Sequence, residues 1–149
     1  MNTMVEQAKA LARRAHVGQI DKAGRLYIEH VARVAAAVED DPQAEAIAWL
    51  HDVLEDAPEF EDEVLNVLPP ELFWSCCLLD RKRVRRRDYY SRIAADPIAL
   101  RVKLADVADN ADEARLALLD EATADRLRRK YAHARKSLEG HNTGIVPPP

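Results

Sequence analysis

The chain has 149 residues, of which 48% are hydrophobic and 32% charged, and its formal net charge is −4. This length fits one domain with a substantial core, and the composition excludes a disordered or fibrous chain. The negative net charge argues against wholesale nucleic-acid binding, which normally requires a basic face.

Two further features bear on the compartment. No apolar run reaches the roughly 18 residues of a membrane span, and the first residues lack the apolar segment of a signal peptide. The only cysteines, Cys76 and Cys77, are adjacent and poorly placed to pair with each other. We therefore expect buried thiols, no membrane association and a cytoplasmic location.

Amphipathic helices separated by polar or proline-containing breaks are predicted along the chain. The predicted helical segments are 3–16, 28–40, 41–56, 61–68, 69–80, 89–95, 96–110 and 122–140. Asp41 and Asp96 each precede a proline, which is a good start for a helix. Loops are expected at 17–27 and in the basic run after residue 80. The sequence thus predicts an all-α fold, a single-domain helical bundle.

The domain is expected to cover residues 1–140, with Gly140 ending the last helix and a flexible tail at 141–149. Trp49 and Trp74 are expected to be core residues of their helices.

A cluster of acidic and histidine residues occurs in the apolar segment WLHDVLED. His51 and Glu55 are four residues apart, as are Asp52 and Asp56, so one helix would bring the four side chains together. Acidic groups rarely enter an apolar helix unless something pairs with them. A His-Asp pair alone is common, however, and carries little weight.

Two other apolar helices contain further candidates. The segment KLADVADN has Asp106 and Asn110 four residues apart, with Asp109 beside them, and His30 lies in YIEHVARVA. Each has an ordinary alternative: His30 alone could be a satisfied core histidine, and Asp106 alone a solvated or capping aspartate. The conjunction of the separate segments favours one shared site.

Imidazole and carboxylate ligands together suit a divalent first-row metal such as manganese, iron, zinc or cobalt better than calcium. Two histidines and two aspartates would leave room on a six-coordinate ion for a water and a phosphate oxygen. The ion would acidify the water and polarise the phosphoryl group. Glu55 and Asp56 could then orient or deprotonate that water.

Three segments, AHVGQIDKAGRLYIEHVARVA, AWLHDVLED and RVKLADVADN, resemble the signatures of the HD phosphohydrolase superfamily. The most similar branch is the RelA/SpoT-type ppGpp hydrolase domain, including its small stand-alone versions, and the resemblance extends from about residue 8 to about residue 135. It implies a bundle of helices around one metal ion, usually Mn²⁺, with iron, cobalt, zinc and magnesium as alternatives. The residues it implies are the ligands His30, His51, Asp52 and Asp106, the acidic pair Glu55 and Asp56, and Asn110 as a substrate contact.

Several substrate-facing positions depart from the pattern of ppGpp hydrolases. After the HxGQx element such domains carry Arg-Lys-Ser, with the arginine packing on the guanine base, whereas this chain has Asp21, Lys22 and Ala23. Val107 replaces an arginine in the third signature, and NADE follows where positive or hydroxyl groups are expected. Because a polyanionic substrate favours nearby cations, these changes weaken the case for ppGpp itself.

Cations elsewhere could still contact a phosphate. Lys22 matches the pattern, and Lys103 could approach a phosphate or pair with Asp106. The basic run 81–87 carries six positive charges. It could capture phosphates, contact RNA although no aromatic residue is interleaved, or be a solvated loop.

Hydrogen-bonding residues could support the site from behind. His16 and Gln19 lie in the first signature, and Arg33 lies one turn after His30, where it could hold a supporting carboxylate.

The leading functional prediction is a metal-dependent phosphohydrolase acting on a nucleotide-type phosphoester or pyrophosphate, in its most specific form a (p)ppGpp 3′-pyrophosphohydrolase. The second is hydrolysis of another small phosphate, such as a nucleoside monophosphate or NADPH, which the missing arginine at position 21 favours. The third is a non-catalytic metal-binding and nucleotide-binding sensor, although such a protein needs no acidic pair. RNA binding is the fourth. The expected partner is therefore a small nucleotide or phosphate.

Overall fold

The computed structural model describes residues 2–143, and their side chains as far as Gly140. Within this range the chain is helical, and extended pairing is confined to an isolated antiparallel bridge between Ile20 and Leu26. The helices are α1 (Met4–Ala15), α2 (Tyr27–Ala37), α3 (Pro42–Leu50), α4 (Val53–Asp56), α5 (Glu61–Val67), α6 (Pro70–Leu78), α7 (Tyr89–Ala94), α8 (Pro97–Asn110), α9 (Glu113–Leu116) and α10 (Glu121–Thr143). The predicted all-α fold is confirmed.

The helix starts follow the predicted chemistry. The carboxylate of Asp41 accepts a hydrogen bond from the amide of Gln43, and that of Asp96 accepts from the amides of Ile98 and Ala99. Each carboxylate therefore pairs with backbone amides that the first helical turn leaves without a partner. The proline after each aspartate has no amide hydrogen, so it adds no further unpaired donor.

The last helix does not end at the predicted residue. It continues through Gly140 to Thr143, so this glycine does not terminate it. The rest of the predicted tail, residues 144–149, lies outside the described residues.

The helix predicted over residues 41–56 is interrupted, and this prediction was wrong. α3 ends at Leu50 and α4 begins at Val53, with His51 and Asp52 between them. The Nδ1 atom of His51 lies 2.7 Å from the carbonyl oxygen of Ala48. In a continuous helix that oxygen would accept from the amide of Asp52, so the imidazole competes with the helical hydrogen bond.

α3 forms the centre of the bundle. α1 and α2 both pack against it, α8 packs against α2 and α3, and α10 packs against α7 and α8. The central position explains why α3 is apolar almost all round, since most of its residues from Ala44 to Leu50 are buried. A second, smaller apolar cluster joins α9 to α10 through Leu116, Ala124 and Leu127.

The two tryptophans behave differently. Trp49 is buried as predicted, but Trp74 has 73% of its surface exposed, so its assignment to the core was wrong. α6 packs inward through Leu72, Cys76 and Cys77, whose spacing defines one helical face, and Trp74 lies away from that face. Burial of both thiols confirms the expectation for the cysteines.

We predict that Ile47→Ala lowers the free energy of unfolding by about 2–5 kcal/mol, because Ile47 is completely buried in α3. Trp74→Ala should change it by less than about 0.5 kcal/mol. Urea denaturation followed by circular dichroism measures both. A loss at Trp74 as large as that at Ile47 would contradict the outward orientation of the indole.

Candidate metal centre

Four side chains from separate parts of the chain meet in the interior of the bundle. His30 comes from α2, His51 and Asp52 from the break between α3 and α4, and Asp106 from α8. Each offers one ligand atom, and these atoms all lie within 4.8 Å of one another. The structure thus brings together the four predicted ligands, and the cluster could hold a metal ion.

The contacts within the cluster are short. The Nε2 atom of His30 lies 2.9 Å from Oδ1 of Asp106. The Nε2 atom of His51 lies 2.9 Å from Oδ2 of Asp52 and 3.3 Å from Oδ1 of Asp106. Both histidines and Asp106 are buried. These charges and lone pairs are therefore largely removed from bulk solvent, with Asp52 the most exposed of the four side chains.

The outer hydrogen bonds of the two histidines assign their tautomers. Nδ1 of His51 contacts the Ala48 carbonyl, which accepts only, and Nδ1 of His30 lies 2.6 Å from Oδ2 of Asp109. Nδ1 must therefore carry the hydrogen in both rings. In a neutral ring the Nε2 lone pair then faces carboxylate oxygens, which is repulsive unless a cation lies among them. The donor set fits a divalent cation.

The pKa values reflect the same demand for positive charge. Burial alone would lower the pKa of His51, but the carboxylates of Asp52 and Asp106 raise it well above its ordinary value. Burial would raise the pKa of Asp106, whereas Lys103 and His51 hold it well below its usual range. The carboxylates of the cluster thus favour a positive charge on His51.

A supporting layer surrounds the ligands. Asp109 contacts Nδ1 of His30, on the side of the ring away from the cluster. It also accepts a 2.8 Å hydrogen bond from Nε of Arg33, as predicted for that arginine, and another from Nη1 of Arg115. The hydroxyl of Tyr27 donates to Oδ2 of Asp52. Such contacts fix the orientation of ligand side chains and adjust their basicity.

Two predicted substrate contacts touch Asp106. The ammonium group of Lys103 lies 2.9 Å from Oδ2 of Asp106, the alternative to a phosphate contact that the sequence left open. Asn110 donates through Nδ2 to Oδ1 of Asp106 at 3.1 Å. Both residues line a small cavity that opens over the ligands, which we call the mouth, with a volume of about 70 Å³.

Glu55 and Asp56 lie in α4, beyond the break, and not on one helix with His51. Oε1 of Glu55 accepts a 2.9 Å hydrogen bond from the amide of Arg81. Oδ2 of Asp56 accepts from Nε2 of Gln19, whose Oε1 in turn contacts Nδ1 of His16. His16 and Gln19 therefore support Asp56, and the backbone of Arg81 supports Glu55, while the catalytic role of the acidic pair stays a prediction.

A larger cavity of about 290 Å³ adjoins the mouth, and we call it the side cavity. The two share Tyr27, Arg81, Asn110, Lys130 and Tyr131. Lys22, predicted to contact substrate, lines the side cavity only.

Some residues of the basic run 81–87 line cavities, and others form ion pairs. Arg81 borders the mouth, and Arg83 pairs with Asp80 at 2.9 Å. Arg86 and Arg87 line a third cavity next to Lys130.

Two contributors to the site were missed from the sequence. Tyr27 precedes His30 by three residues, a helical spacing that could have indicated it. Arg115 has no such signal, because it lies outside the three segments and reaches the site only through the turn after α8.

Comparison with known proteins yields a structural likeness. No protein-family model and no curated protein matches the sequence. Among solved structures, a metazoan ortholog of SpoT that hydrolyzes ppGpp and plays a role in starvation responses has a similar fold, with a TM-score of 0.72 and 19% identity. The alignment covers 99% of this chain and 89% of that chain. The fold implied by the sequence resemblance, the helical HD-domain type, is confirmed.

Among the described residues, no helix is both long enough and apolar enough to cross a bilayer.

We predict that Asp109→Asn weakens Mn²⁺ binding by about 10- to 100-fold, because the amide supports His30 less well than the carboxylate. Calorimetric titration of metal-free protein measures the change. Asp125→Asn is the matched control, since within the described residues Asp125 forms its ion pair with Arg128 at the surface of α10. Equal affinities in all three proteins would contradict the supporting role of Asp109.

Proposed function

We propose that this protein is a metal-dependent phosphohydrolase acting on a nucleotide-type phosphoester or pyrophosphate, with the 3′-pyrophosphate of ppGpp as the first candidate. One observation carries the proposal. Two imidazole lone pairs and two carboxylates converge in a buried cluster, directly beneath a mouth lined by cations. This combination suits a divalent ion below and a phosphate above.

The residues that would hold the ion are His30, His51, Asp52 and Asp106. Manganese is the preferred metal from the sequence resemblance, and the mixed nitrogen and oxygen donors also suit iron, cobalt and zinc. When bound, such an ion supplies Lewis acidity toward the phosphoryl group and makes an attacking water more acidic.

The cations around the mouth would bind and orient the phosphate. Lys103 and Arg81 border the mouth beside Asp106, and Lys130 borders it from α10. Among the described residues Lys130 has no ion-pair partner, and its pKa is lowered by burial and by the nearby cations Arg81 and Lys22. An arriving phosphate would relieve this repulsion. Asn110 would donate a hydrogen bond at the same place.

The acidic pair would act on the water. Oε1 of Glu55 is held by the amide of Arg81, which leaves Oε2 to accept a proton. Oδ2 of Asp56 is held by Gln19, which leaves Oδ1 to orient the same water. A carboxylate fixed through one oxygen is a suitable general base, because its second oxygen has a defined position.

The choice of substrate has support from two directions. The structural neighbour hydrolyzes ppGpp, which supports ppGpp as the first substrate to test. Position 21 carries an aspartate, which pairs with Arg115, instead of the arginine that packs on guanine in ppGpp hydrolases. This difference keeps NADPH and nucleoside monophosphates as alternatives. The non-catalytic sensor remains the alternative from another class. The cytoplasmic location stays a prediction.

We predict that metal-free protein reloaded with Mn²⁺ releases pyrophosphate or phosphate from at least one of ppGpp, NADPH and a nucleoside monophosphate. His51→Ala should abolish both metal binding and turnover. Glu55→Gln should lower kcat by about 10²- to 10⁴-fold and leave metal affinity unchanged, because the amide still accepts from Arg81 but cannot take a proton. Product assays and calorimetry measure these effects.

Glu59→Gln is the matched control for the glutamate, since it makes the same substitution on an exposed residue of the following turn. Metal binding without turnover of any substrate would overturn the hydrolase and favour the sensor. Full activity in Glu55→Gln would leave the hydrolase intact but remove Glu55 from the reaction.

A further inference from the structure

We propose that His16 is a positioning residue of the proposed reaction. With a hydrogen on Nδ1 it fixes the side-chain amide of Gln19, and Gln19 in turn fixes the carboxylate of Asp56. The inference rests on the proposed function, in which Asp56 orients the attacking water. It gives the reaction two residues that act on it only through another side chain.

The chemistry of the three side chains assigns their hydrogens. Oδ2 of Asp56 accepts a 3.1 Å hydrogen bond from Gln19, so the NH2 group of the amide must face the carboxylate. The amide oxygen Oε1 then faces His16, whose Nδ1 lies 2.8 Å away. Because an amide oxygen only accepts, Nδ1 of His16 must carry a hydrogen. With the amide reversed, its oxygen would face the carboxylate, which is repulsive.

The other nitrogen of His16 argues that the ring does more than fill space. His16 is 2% exposed, and its Nε2 is buried without a hydrogen-bond partner among the described residues. An unpaired buried acceptor costs free energy, which a phenyl ring at this place would avoid. The donor on Nδ1 is therefore what the imidazole contributes and an apolar ring would not.

The backbone holds Gln19 from both sides. His16 ends α1 with its amide bonded to the carbonyl of Ala12, and Gln19 donates its own amide to the carbonyl of His16 at 3.0 Å. Gly18 between them has a φ of +79°, a conformation that favours glycine, and it reverses the chain. The carbonyl of Gln19 accepts from the amide of Tyr27 at 2.9 Å. The side chain of Gln19 therefore leaves a fixed backbone in a defined direction.

Asp56 depends on this support because it is exposed at the end of α4. Within the described residues, Gln19 supplies the hydrogen bond that its side chain accepts. An exposed carboxylate without such a bond exchanges between rotamers. In the proposed reaction this rotation would move the water that Oδ1 orients, and small misplacements of a reacting group lower the rate. We therefore expect loss of the support to lower kcat.

Two variants of His16 separate its donor from its packing. The imidazole packs on Tyr27 with ring centroids 5.2 Å apart, so a purely structural role would depend on the ring. His16→Phe keeps a ring but has no donor, whereas His16→Asn has no ring but places an amide nitrogen near the position of Nδ1. If the donor matters, His16→Asn should have the higher kcat. If packing alone matters, His16→Phe should have it.

We predict that His16→Phe and Gln19→Met lower kcat by about 5- to 100-fold, with KM and Mn²⁺ affinity within about twofold of the native values. His16→Asn should recover most of the loss. Turnover is measured in Mn²⁺-loaded protein with whichever of ppGpp, NADPH and a nucleoside monophosphate it hydrolyses. His133→Phe and Gln43→Met are the matched controls, since they make the same substitutions on exposed residues of α10 and α3.

The position of the hydrogen is measured without turnover, by nitrogen NMR of protein with ¹⁵N-labelled histidine. The protein is loaded with diamagnetic Zn²⁺ and held at a pH where the imidazole is neutral. The signals of His16 are identified by their absence from the spectrum of His16→Asn. Their chemical shifts should show a hydrogen on Nδ1 and a bare Nε2.

A hydrogen on Nε2 with a bare Nδ1 would overturn the proposal, as would a kcat of His16→Asn no higher than that of His16→Phe. Native kcat in Gln19→Met would do the same while leaving the hydrolase intact. Absence of turnover in the native protein would instead remove the proposed function, and the positioning role would fall with it.

Discussion

The arrangement of the site depends on two histidines that are each committed through Nδ1 to an acceptor outside the cluster. Ala48 and Asp109 take those hydrogens, so both Nε2 lone pairs turn inward toward Asp52 and Asp106. Buried lone pairs and carboxylates cannot stay together without a cation among them. The break between α3 and α4 carries His51 and Asp52, the packing of α2 on α8 brings His30 to Asp106, and Lys103 adds a positive charge beside Asp106.

Local chemistry made much of the fold predictable. Helical spacing and the Asp-Pro starts indicated most of the elements, since they are properties of neighbouring residues. The grouping of His30, His51, Asp52 and Asp106 was predictable because each lies in an apolar segment, where a buried polar or charged side chain needs a partner. The interruption at His51 was not, because it arises from a side chain that displaces a backbone hydrogen bond. The outward face of Trp74 likewise depends on which side of α6 meets the core.

The contact between Asp21 and Arg115 was beyond reach from sequence. Asp21 and Arg115 are 94 residues apart, and no periodicity relates them. Taken locally, Asp21 indicated only that a stacking arginine was missing. In the structure the same carboxylate accepts a hydrogen bond from Arg115 of α9, and both residues line the side cavity. A departure from a motif can thus be half of a pair whose other half lies elsewhere in the chain.

The small apolar cluster between α9 and α10 has a consequence for how such a protein diversifies. Leu116, Ala124 and Leu127 pack apart from the main core, which contains the helices that carry the four metal-binding candidates. Changes in this cluster therefore reshape one wall of the side cavity at little cost to the rest of the bundle. The four candidate metal ligands and this wall of the side cavity are therefore free to vary separately.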